Sequence, residues 1–177
     1  MNMNNKDSNI KVRRLIIVAG LLVLCSFFSN IIAQPNPPRP VKITANNSQP
    51  LAFGAFTPGV SGGTVTVSAN GGTRSSTGTV ILLSMSYVYT PAMFYIRANP
   101  GTVISLLTGS SSTITGSNGG TLTLQVNGTC PSSPLVTTVP YQQQTTVLVG
   151  GTLTVGNMAS NPAGYYSGSI DVTFVQE

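Results

Sequence analysis

Residues 119–126 read Gly-Gly-Thr-Leu-Thr-Leu-Gln-Val. Leu122, Leu124 and Val126 alternate with Thr121, Thr123 and Gln125. A period of two sends successive side chains to opposite faces, so this run predicts a strand with one buried face. The pattern returns along the chain. Val41 and Ile43 alternate with Lys42 and Thr44, and Val65 and Val67 with Thr64, Thr66 and Ser68. Leu153 and Val155 alternate with Thr152 and Thr154, and Ile170, Val172 and Phe174 with Ser169, Asp171 and Thr173. Threonine suits the outer face, because β-branched side chains pack well on a pleated surface. Less regular runs at 51–56, 79–83, 93–97, 102–107 and 146–149 predict further strands. No window of twelve residues after Ala33 carries a helical stripe. The expectation is an all-β, immunoglobulin-like Greek-key sandwich of about eight to ten short strands.

Between the runs stand Gly, Asn, Ser and Pro, the turn formers. Gly-Gly-Thr recurs at 62–64, 71–73, 119–121 and 150–152, and three copies open an alternating strand. No Lys-Ser/Thr follows them and no helical pattern begins there, so they are not phosphate loops. Paired glycines are expected at tight turns that need positive φ. Their spacing is irregular, which excludes a solenoid repeat.

The 177 residues include 8 Lys+Arg, 3 Asp+Glu and no His. Charged residues make up 6%, against a usual figure of about 25%. Without histidine there is no histidine base, no Ser-His-Asp triad and no imidazole ligand. The formal charge of +5 suggests an anionic partner until the cations are located. Lys6, Lys11, Arg13 and Arg14 precede the apolar run from Leu15 to Phe28, and small Ala33 follows. A basic start, an apolar stretch and a small residue at the cut describe a secretory signal peptide. Residues 1–33 are therefore read as a signal helix cleaved after Ala33, and the membrane is met only in transit.

The mature chain would run from Gln34 to Glu177. It keeps Arg39, Lys42, Arg74 and Arg97 against Asp171 and Glu177, a formal +2. Such scattered cations cannot neutralise a run of phosphates, so nucleic acid is not an expected partner. Residues 34–40 read Gln-Pro-Asn-Pro-Pro-Arg-Pro, a semi-rigid polyproline II spacer. Residues 41–177 are expected to form one domain. Cys130 is the lone cysteine of the mature chain, so no intrachain disulfide is expected. It reads as a buried small apolar residue rather than an exposed thiol, because no base or cation stands near it in sequence to make a nucleophile.

From Leu51 to Leu83 the sequence contains Phe53-Gly54-Ala55-Phe56-Thr57-Pro58-Gly59, then Gly62 to Val67, then Arg74 to Gly78. Later come Pro91 to Ile96, Asn99-Pro100-Gly101, Gly150 to Gly156 and the closing Ala163 to Gln176. In this order the segments resemble a bacterial secreted family known as domain of unknown function 4402, over nearly the whole mature chain. That family is similar to spore-coat-U-type and fimbrial-like domains. The resemblance implies an immunoglobulin-like sandwich and brings no catalytic, cofactor or metal residues.

Two functions are consistent with these observations. The first is an exported structural protein of the surface or extracellular space, a fibre, pilus-like or coat subunit. Its partner would be itself, through strand-edge pairing, or another surface protein. Val41 and Ile43 are the candidate donor positions, although this stretch also suits the domain's own first strand. The second is a secreted adhesin-like module for glycan or protein, using Tyr87 and Tyr89 on one strand face, or Tyr141 beside three glutamines. Catalysis is not expected: Asp171 and Glu177 are the mature carboxylates and nothing in the sequence brings them together.

Overall fold

The computed structural model describes residues 39–108 and 111–177. The signal segment, its cleavage point after Ala33 and most of the 34–40 spacer lie outside the described residues. Fifteen strands run through the described chain. They are β1 (Lys42–Ala45), β2 (Ala52–Phe53), β3 (Phe56–Thr57), β4 (Gly63–Val67), β5 (Arg74–Gly78), β6 (Ile81–Leu82), β7 (Tyr89–Thr90) and β8 (Ala92–Arg97). There follow β9 (Val103–Leu107), β10 (Ser111–Gly116), β11 (Thr121–Cys130), β12 (Leu135–Val136), β13 (Thr145–Val155), β14 (Tyr166–Ser167) and β15 (Thr173–Gln176). Nine have four residues or more, in line with the expected eight to ten, and the other six are two-residue pairings. The fold is all-β and its strand pairs are antiparallel.

The main sheet is organised by β13. Along one side it pairs with β11 for nearly its whole length. On the other side its first half pairs with β8 and its second half with β4. Beyond these lie β1 on β8, β5 on β4, and β10 and β14 outside β11. A second layer holds β12-β9-β15 and two short pairs, β2 with β7 and β3 with β6. Strands distant in sequence are neighbours in space, as Greek-key connections require.

The Gly-Gly pair at 150–151 is a correction to the sequence reading. It makes no turn. It lies inside β13, so two expected strands are one of eleven residues. A Cβ on Gly150 would sit 2.6 Å from the Val67 carbonyl and the Ala69 amide, and one on Gly151 would sit 2.8 Å from Leu51 Cδ2. Here β13 exchanges β8 for β4, and opposite it β11 carries a bulge between Val126 and Gly128. Small residues let the backbones approach at this exchange. The pairs at 71–72 and 119–120 do take positive φ at turns, as expected, and Gly62 takes φ +71° just before Gly63 opens β4.

Most of the alternating residues enter the core as read; Ile43 is a correction, since edge strand β1 leaves it exposed. Val65, Val67, Leu122, Leu124, Leu153 and Val155 join Phe53, Val80 and Ile114 in one buried cluster. A second cluster gathers Ile96, Ile104, Leu135 and Val147, with Val41 and Phe174 against it. Val126, Val149, Ala92 and Leu106 join the two, with Leu51, Val172 and Phe174 packed on them. On the outer face the register aligns Thr113, Thr123, Thr154, Thr64 and Thr77 across five strands. Thr64 and Thr77 hydroxyls meet at 2.6 Å, and Thr66 and Thr152 at 3.0 Å. Across these five strands the face is neutral and held by hydroxyl pairs rather than ion pairs, while Lys42 and Arg97 face each other beyond them on β1 and β8.

Candidate functional site

A cleft of about 1100 Å³ opens at the end of the sandwich where β13 terminates. Its floor is the inward face of the main sheet: Ile114 on β10, Leu122 and Leu124 on β11, Leu153 and Val155 on β13. One wall is the stretch from Pro50 to Pro58, and the other includes Ser167, Gly168 and Ile170. The volume lies at the upper end of the range of ligand pockets.

The first wall owes its shape to Arg74. Gly54, at φ +67°, breaks the wall between β2 and β3 and lets the Arg74 guanidinium lie against the backbone. Nη1 donates to the carbonyls of Phe53 at 2.9 Å and Ala55 at 3.1 Å, and Nη2 to that of Leu83 at 3.2 Å. The guanidinium also lies 4.5 Å from the Tyr89 ring centroid, a cation–π contact. Charge-assisted donors in a fixed fork make this a rigid staple between two segments. The site's nearest cation is thereby committed to structure.

The other wall is set by Asn161 and Tyr166. Buried Asn161 donates to the Thr121 carbonyl at 2.8 Å and accepts from the Gly156 amide at 2.6 Å. Tyr166 lays its ring on the core and donates to the Pro162 carbonyl at 2.8 Å. Beyond β14, Gly168 to Val172 forms no strand, although Ile170 and Val172 alternate into the core as a strand would. The sequence reading extends a strand through this run, whereas β15 begins at Thr173. Opposite, β2 is bonded to β7 on one side only. The cleft is thus bordered by β2, with one ladder partner, and by Gly168 and Ile170, in no ladder, among the described residues.

The rim is apolar and exposed. It carries Met85, Tyr87, Val88, Met158 and Tyr165, with Val88 70% and Tyr165 74% exposed. The neighbouring Tyr165 phenol raises that of Tyr87 above its ordinary pKa. No charged side chain lines the cleft among the described residues. Such a site is suited to holding an extended, apolar, uncharged chain.

The structure disperses the residues singled out from sequence. Tyr87 lines the cleft, while Tyr89 stacks on Arg74, so they do not form one platform. Tyr141 serves the start of the domain: its hydroxyl donates to the Pro40 carbonyl at 3.2 Å and Arg39 lies over its ring. Lys42–Ala45 is an edge strand of its own domain, paired with β8, rather than a free donor. Cys130 closes β11 opposite Leu148 and is half-buried. Asp171 is exposed, and the Glu177 carboxylate accepts from the Ser105 hydroxyl. Sequence reasoning missed the cleft. Its available signal was apolar Met85, Val88 and Met158 placed outside any alternating run.

No curated protein and no solved structure matches the chain. The profile described as Domain of unknown function (DUF4402) matches residues 43–175, and the chain belongs to that family.

Proposed function

We propose that this chain is an exported, non-catalytic structural protein of the cell surface or extracellular space, a subunit of a fibre or coat. The observation that carries the reading is the uncharged apolar cleft, bordered by β2, which has one ladder partner, and by Gly168 and Ile170, which have none. An apolar cleft with an exposed rim beside incompletely paired backbone is suited to being completed by another chain. The signal-peptide pattern of residues 1–33, cleaved after Ala33, supports export. The neutral threonine face supports a durable surface, and the likeness to spore-coat-U-type and fimbrial-like domains points the same way. No cofactor or nucleic acid has a part in this reading.

Electron microscopy of cells making the protein, with a label on the mature chain, tests it. Labelled filaments or an even surface coat are expected. Label confined to the cell interior, or released as monomers to the medium, contradicts it.

A second reading, an adhesin-like binding module, is favoured by the exposed pair Tyr87 and Tyr165. Aromatic platforms suit sugar faces and apolar peptides. Glycan-array binding abolished by Tyr165→Ala supports that reading, and an array without hits removes its glycan form.

A further inference from the structure

We infer that the cleft receives residues 34–38 of a second copy of the chain, while Arg39 and Pro40 stay on their own Tyr141, giving a head-to-tail assembly. The inference rests on the fibre reading and on cleavage after Ala33.

The polarity of the fold carries the argument. Lys42 pairs with Arg97 and Ala45 with Phe94, while Thr145 pairs with Ile96 and Val149 with Ala92. β1 therefore runs in the same direction as β13. The chain preceding β1 projects past the Thr145 end, and Arg39 and Pro40 rest on Tyr141 there. The cleft lies at the opposite end, beside Leu153 and Val155. From Thr145, level with Ile43 across Ile96, to Val155 is ten strand steps, about 33 Å. Residues 34–40 reach only about 22 Å as polyproline II. Folding back would leave them short of the mouth. The segment of a neighbouring copy has no such constraint.

The segment also fits chemically. The Gln-Pro-Asn-Pro-Pro sequence of 34–38 carries no charge and favours polyproline II, and prolines seek aromatic and apolar ridges. The cleft supplies Tyr87, Tyr165, Tyr166, Met85 and Met158 and no charge. Proline donates nothing to a ladder, but its carbonyl can accept from the unpartnered amides of Gly168–Val172. One surface meeting a different surface of the next copy is heterologous and does not close on itself, so the assembly grows as a filament.

Crosslinking in solution tests this. In mature chain carrying Cys130→Ser, one preparation adds Asn36→Cys and another Met158→Cys, at the rim. On mixing and mild oxidation, a disulfide-linked dimer of one copy of each is expected. Its yield should exceed by at least tenfold that obtained with Val136→Cys, which is exposed on β12, as acceptor. A free Gln34–Val41 peptide should suppress it. A chain carrying both Asn36→Cys and Met158→Cys should form ladders at high concentration and no internal crosslink when dilute. Yields equal to the control, a predominant internal crosslink, or a fluorescent fatty acid that fills the cleft and resists the peptide would each overturn the inference. Because this readout needs no cells, filaments on cells without the crosslink refute the occupant and spare the fibre reading. The crosslink without filaments does the reverse.

Discussion

The guanidinium of Arg74 lies so close to Gly54 that a Cβ there would sit 2.5 Å from Nη1. The same guanidinium donates to the carbonyls on either side of that glycine. This pairing explains why Phe-Gly-Ala-Phe and Arg-Ser-Ser-Thr-Gly, twenty residues apart, occur in one sequence. The first shapes a wall around the head group that the second supplies. Arg74→Ala should cost about 3 kcal/mol, since three half-buried carbonyls lose a charged donor. Arg74→Lys should recover less than half, because an ammonium cannot span the fork. Gly54→Ala should cost a similar amount, and the double variant less than the sum. Urea unfolding of the four chains measures all of this.

Gly150 sits where β13 exchanges one neighbour for another. Gly150→Ala should cost about 2–4 kcal/mol, because the new methyl would meet backbone of β4 and the turn after it, which cannot step aside. Thr152→Ala, on the outer face, should cost under about 1 kcal/mol. Paired denaturation midpoints test the contrast.

Met85 and Met158 are exposed at the rim, whereas the Met93 sulfur is half-buried and accepts from Asn46 Nδ2 at 3.3 Å. Dilute peroxide should convert the two rim methionines several-fold faster than Met93. At concentrations where the mature chain associates, the rim residues should be protected and Met93 unchanged. Peptide mapping by mass spectrometry gives the three rates.

The chain contains no histidine, so no group of ordinary pKa near 6.5 titrates in the neutral range. Melting temperature should be nearly flat from pH 5 to 8. The Tyr87 phenol is held above its ordinary value by the neighbouring Tyr165, which favours its neutral form in the folded state. That contribution is present below the ordinary value of 10.0 and lost as pH rises through the raised one. Tyr87→Phe should remove this alkaline component and leave the plateau unaltered.

The strands with strict alternation were legible because one side of each faces the core. Leu122, Leu124 and Val126 in β11 are buried at every second position. Gly150 and Gly151 misled because a glycine pair carries the same letters in a turn and at a close backbone crossing. Partners decide which it is, and they lie 80 residues away on β4. Gly168–Val172 misled for the complementary reason: its pattern is that of a strand, but a strand also needs a neighbour. The cleft was hidden because its rim is made of isolated apolar residues in loops, which single-sequence periodicity does not register.

Hydrogen exchange on the purified mature chain, dilute and then concentrated, tests the central claim most directly. If a second copy completes the cleft, amides of 51–56 and 168–172 should slow at least tenfold on association, while those within β11 and β13 stay as they were. Association that leaves both stretches exchanging at their dilute rates, or no association at any concentration, would contradict the account.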